Sequence, residues 1–125
     1  MVINYTMKIF HHSKLLLFYS YLSFIIVMYV RPVTIERTLE QSTGLDLDKY
    51  FHFFTFFLLG FIAQLINTKN YNFIFGISLS LIISLFIEIS HFIIPYRDFE
   101  MLDGLTNILG CITGILIIYL YRKKL

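Results

Sequence analysis

Four apolar runs limit what this chain can fold into. They lie at about residues 15–30, 50–66, 73–94 and 102–121, each near the roughly 20 residues an α-helix needs to cross a bilayer's hydrocarbon core. In lipid a backbone must satisfy its own N–H and C=O groups, and an α-helix does so within one segment. The expected fold is all-α: an integral membrane four-helix transmembrane bundle, a single domain over residues 1–125. Charged residues make up 14% of the chain, against about a quarter in soluble domains.

The stretches between the runs set the topology. "RPVTIERTLEQSTGLDLDK", residues 31–49, reads as a long polar connection, "NTKNYN" as a short turn, and Pro95 as the stop of the third span. Lys8 and Lys14 precede the first run, which ends at Arg31-Pro32 without a small-x-small cleavage site, so it reads as an uncleaved span rather than a signal peptide. Cys111 is the one cysteine; it allows no intrachain disulfide and reads as a small packing residue. The net charge of +2 is too small and too scattered to suggest nucleic-acid binding.

The placement of charge says more than its sum. With both termini in the cytoplasm, Lys8, Lys14, Lys69, Arg122, Lys123 and Lys124 lie inside, while Arg31, Arg37, Lys49 and Arg97 lie outside. The acidic residues Glu36, Glu40, Asp46 and Asp48 then share the first outer loop. The start of span two, the end of span three and the start of span four are brought to the same outer side.

Polar residues gather at those three ends. At 1.5 Å rise per residue, Glu88 lies about 10 Å below Pro95 and His91 about 6 Å below it. A carboxylate at the depth of Glu88 costs about 3 kcal/mol if left in hydrocarbon, so it should face the bundle and be paired or protonated. Asp48 and His52 stand at i, i+4, Glu88 and His91 at i, i+3, and Asp103 and Asn107 at i, i+4. Gly110 and Gly114 continue the Asn107 stripe, while Gly76, Ser80 and Ser84 recur every four residues below Glu88. Small residues at that spacing let membrane helices approach closely, so spans three and four are expected to pack together beneath a polar pocket. His and carboxylate groups at these spacings are proper metal ligands. Yet no His-x-x-x-His pair occurs, and Lys49 and Arg97 beside the pocket would repel a cation, so neither metal nor cofactor is expected. Ser90 adjoins His91 in sequence and points elsewhere on the helix, which argues against a nucleophilic triad.

Three blocks, "DKYFHFFTFFLLG" (48–60), "EISHFIIPYR" (88–97) and "DGLTNILGCITG" (103–114), together resemble the VanZ-like family of small bacterial membrane proteins. That family shows Asp-Lys-x-x-His-Phe opening one span, Glu-x-x-Gln followed by Pro-x-Arg, then Asp-x-x-x-Asn-x-x-Gly-x-x-x-Gly. The matching positions are Asp48, Lys49, His52, Glu88, Pro95, Arg97, Asp103, Asn107, Gly110 and Gly114. His91 stands where Gln is usual, and Tyr96 where Gly is common. The resemblance implies a cell-envelope role in the bacterial plasma membrane, with a link to low-level resistance to the glycopeptide teicoplanin.

The leading functional expectation is an outer-leaflet pocket for a phospholipid or polyprenyl-phosphate-linked headgroup. Lys49 and Arg97 would contact phosphate, since both are cations and Arg offers a planar fork. Asp103, Asn107 and Glu88 would orient those cations or meet sugar and amine groups, with Asp48, His52 and His91 as further ligand-binding candidates. The runner-up is a small membrane enzyme on the same ligands, with His52 or His91 as acid-base and Glu88 as a further candidate. The third is an accessory subunit, alone as a homo-oligomer or bound to another membrane protein, in which the polar cluster is structural.

Overall fold

The computed structural model describes residues 2–32, 34–44, 46–66 and 73–124, and of residues 2–11, 35–37 and 39–40 the helical backbone alone. Its elements are α1 (Val2–Val30), α2 (Thr34–Thr43), α3 (Leu47–Ile66), α4 (Phe73–His91) and α5 (Met101–Lys123). The fold is all-α, and four of the helices are long and apolar enough to cross a membrane: His12–Val30 within α1, and the whole of α3, α4 and α5. Large apolar side chains such as Leu16, Ile82, Phe86 and Leu116 remain exposed on their outer faces. Water would penalise that surface and lipid does not. The turn over 67–72 with Lys69, and the side chains of Lys8, Glu36, Arg37 and Glu40, lie outside the described residues.

The element boundaries depart from the apolar runs in three places. Helix α1 begins at Val2, well before the first apolar run, because nothing in "VINYTMKIFHHSK" breaks a helix. The connection after Arg31-Pro32 holds a ten-residue helix, α2, in which the Thr38 hydroxyl donates to the Thr34 carbonyl at 2.8 Å. The chain leaves α2 through Gly44 at φ +68°, a left-handed conformation that glycine takes without steric cost at a helix C-terminus. Helix α4 stops at His91 rather than Ile94. The residue before a proline avoids helical dihedrals, and the chain tightens ahead of Pro95: Phe92 N–H donates to Ile89 O and Ile93 N–H to Ser90 O.

Packing centres on α3 and α5. A Cβ at Gly110 or Gly114 would collide with the Phe53 or Phe57 carbonyl of α3, and one at Gly60 would collide with the Cys111 backbone of α5. The two helices therefore run backbone against backbone. The sequence expectation that the Gly110 and Gly114 stripe packs on the third span is corrected here: the stripe faces α3, the second span. Helical spacing defines a shared face but not which neighbour covers it. Gly76, Ser80 and Ser84 of α4 are buried as expected, with Gly76 closely opposed by the side chains of Gln64 and Ile115.

Helix α1 closes the core. Phe18, Ile25 and Tyr29 pack with Phe56, Leu59, Ile87 and Cys111, and the Tyr21 hydroxyl donates to Thr55 O at 2.8 Å. At one end of the bundle Tyr96 Oη donates to Val30 O at 2.7 Å and Arg97 Nη2 to Met28 O at 3.2 Å, tying the α4–α5 connection to the end of α1. At the other end Arg122 Nη2 donates to Leu65 O at 3.1 Å, meeting one of the carbonyls that the end of α3 leaves open.

Candidate functional site

The first turns of α3 and α5 and the last turn of α4 meet at the Val30 end of the bundle. Asp48 and Asp103 stand in the first turns of their helices, where the macrodipole favours a carboxylate. His52 and Asn107 each lie four residues further along. Because α3 and α5 are in backbone contact, these two residues meet: His52 Nδ1 and Asn107 Oδ1 are 2.9 Å apart. The Asn107 amide nitrogen donates to Glu88 Oε1 and to Ser84 Oγ, both at 3.1 Å. A carboxylate only accepts, so the amide NH₂ belongs on Glu88 and the amide oxygen on the imidazole. His52 therefore carries its proton on Nδ1.

The opposite edge of that imidazole meets two carboxylates. His52 Nε2 lies 3.7 Å from Asp103 Oδ2 and 3.8 Å from Asp48 Oδ2. The donor atoms of Asp48, His52 and Asp103 all fall within 4.8 Å of one another, close enough among the described residues to hold a cation. His91 Nδ1 lies 3.6 Å from Glu88 Oε2. The Tyr29 ring forms a wall, with its centroid 4.8 Å from that of His52 and 6.1 Å from that of His91. His52, Glu88, His91, Asp103 and Asn107 are all buried.

The two cations are held differently. Lys49 Nζ lies 2.7 Å from Asp46, 3.2 Å from Glu100 and 3.8 Å from Asp103, on the more open side. Arg97 turns inward. It donates to Met28 O and, at 3.5 Å, to Arg31 O; it lies 3.9 Å from Asp48 Oδ1, with its guanidinium carbon 5.8 Å from the Tyr29 ring centroid. Its side chain is buried. Arg97 thus braces α1 against the α4–α5 connection.

A side groove runs from this cluster between α4 and α5. Its volume is about 350 Å³, and Leu81, Leu85, Leu105 and Ile108 line it together with Ser84, Glu88 and Glu100. Glu88 belongs to both the buried cluster and the groove.

The blocks that build the cluster lie within residues 3–122, the region matched by the VanZ/LLP1 family. The chain belongs to that family. No curated protein and no solved structure matches it. In this VanZ/LLP1 member, His91 sets an imidazole beside Glu88, and Tyr96 uses its hydroxyl to bind α1.

Two contributors were not singled out by spacing. Tyr29 is one aromatic among several in the first span, and its place against His52 follows only from how α1 docks. Glu100 was one charge of a polar loop, and pairing with Lys49 across 51 residues makes it part of the site.

Proposed function

We propose that this VanZ/LLP1 protein binds a lipid of the bacterial cell envelope, with both termini cytoplasmic and the polar cluster at the level of the outer leaflet. The observation that carries this reading is the double membership of Glu88. An apolar groove suited to a lipid chain ends on a carboxylate that is itself fastened into the buried polar network. A headgroup at the groove mouth would offer amine or hydroxyl donors to Glu88 and Glu100, and phosphate to Lys49. The ligand class is a phospholipid or a polyprenyl-phosphate-linked precursor, which share an apolar chain, a phosphate and hydrogen-bond donors. Because Arg97 is committed to backbone carbonyls and Asp48, Lys49 is the cation better placed for phosphate. Family membership supports an envelope role, including one in teicoplanin-type resistance.

Purified in mild detergent and analysed by native mass spectrometry, the wild-type protein should retain about one envelope lipid. Leu105→Trp, which fills the groove from an exposed position, should reduce retention at least tenfold. Equal retention in both would contradict the groove assignment. The mass of the retained lipid separates phospholipid from polyprenyl carrier.

The catalytic alternative has one favouring observation: the His52 ring is fixed by Asn107 with its Nε2 edge toward Asp48 and Asp103, as an acid-base group requires. Turnover of the retained lipid that ceases in His52→Ala would select this reading over binding alone.

A further inference from the structure

We propose that Asp48, His52 and Asp103 bind a divalent transition-metal ion of the zinc class. The inference rests on the orientation of donor atoms at this site and is independent of the lipid reading.

His52 supplies the deciding observation. Its Nδ1–H donates to Asn107 Oδ1, so in the neutral ring Nε2 presents a lone pair. That lone pair faces Asp48 Oδ2 and Asp103 Oδ2, which are acceptors as well. With the ring neutral and both carboxylates ionised, three lone-pair donors face one another. The separations of 3.7 and 3.8 Å are too long for hydrogen bonds. Both are shorter than twice a zinc–ligand bond of about 2.1 Å, and all three donor atoms lie within 4.8 Å of one another. The residue is 0% exposed, and among the described residues Nε2 has no hydrogen-bond partner. An unmet nitrogen in so dry a place costs stability, and a cation at the convergence point removes that cost.

The surroundings match what metal ligands need. A ligating imidazole ordinarily donates its other N–H to an acceptor that fixes the ring. Asn107 takes that part, and is itself held by Glu88 and Ser84. The Oδ1 atoms of the two aspartates face Lys49 (3.8 Å from Asp103) and Arg97 (3.9 Å from Asp48), which leaves both Oδ2 atoms turned toward His52. The cations expected from sequence to repel a metal therefore lie nearest the far oxygens. Two carboxylates and a neutral imidazole carry a charge of −2, matching a divalent ion. Imidazole in the set favours zinc and its neighbours over magnesium or calcium. Three protein ligands leave a coordination position open to water or to a ligand oxygen, the arrangement of catalytic rather than structural zinc sites.

The test uses the full-length protein in detergent micelles, stripped with a chelator and then titrated with Zn²⁺ and Mn²⁺. Calorimetry should show one high-affinity equivalent, and Tm should rise on addition. Affinity should fall by more than the roughly 100-fold upper range for loss of a supporting group, both in Asp103→Asn and in Asp48→Asn. Asp48 is only half-buried, so its variant keeps the test valid where Asp103→Asn fails to fold. Thr113→Ala, an exposed position away from the cluster, should still bind one equivalent. Absence of a saturable equivalent in folded wild-type protein would overturn the assignment. Binding unchanged in Asp48→Asn would do the same by placing the ion elsewhere.

Discussion

Asn107 has every hydrogen-bonding atom of its side chain engaged, on three different residues from two other helices. Leucine in its place would have similar volume and no polar atoms, leaving His52 Nδ1 and Glu88 Oε1 buried without partners. Each such group costs about 1–3 kcal/mol. We therefore expect Asn107→Leu to destabilise the protein by roughly 3 kcal/mol, read as a lower Tm in detergent. An unchanged Tm would mean that the network contributes nothing to holding α3, α4 and α5 together. The sequence showed that Asp103 and Asn107 share a face, and that Glu88 lies too deep to stay unpaired. It could not show the tautomer of His52, because that depends on which amide atom meets the ring once three helices have docked. Arg97 was likewise recognisable as a cation near the site. Its inward turn depends on the carbonyls of Met28 and Arg31, almost seventy residues away along the chain.

At the scale of helices, the contact between α3 and α5 positions the site. Gly110, Gly114 and Gly60 allow that contact, and any side chain there must push against backbone, which has little freedom to yield. Overpacking commonly costs about 1–3 kcal/mol, and the values for Gly110→Leu and Gly114→Leu are expected at or above the upper end. Both should lower Tm and also weaken lipid retention, because parting the helices separates His52 from Asn107. Gly104→Ala is the comparison. A Cβ there meets Glu88 Cγ at 4.0 Å, an ordinary contact, and Tm should hold. Equal Tm across the three variants would show that α3 and α5 tolerate separation. Repetition every four residues made the glycine stripe legible in the sequence. Its partner was not, since both neighbouring spans offer small residues, and Gly60 stands alone in an aromatic-rich helix. The short helix α2 was missed because its polar composition resembles a loop, and a helix in a connection leaves no apolar run to detect.

For the molecule as a whole, the number of spans, their order and the gathering of polar residues at one end were all readable, because lipid imposes length and hydrophobicity directly on the sequence. The side groove was not readable. It depends on the gap between α4 and α5, which no spacing within either helix encodes. That groove is also where the central claim can be tested most directly: the buried polar cluster serves a lipid that enters from the side. A photoreactive benzophenone amino acid placed at Leu105, inside the groove, should crosslink in intact membranes to a defined envelope lipid bearing phosphate and an amine or sugar. Ile117, on the same helix and exposed but outside the groove lining, samples bulk lipid. We predict an adduct at Leu105 enriched in one lipid class over the profile at Ile117, with the enrichment abolished by Glu88→Gln. Identical adduct profiles at the two positions would contradict the account.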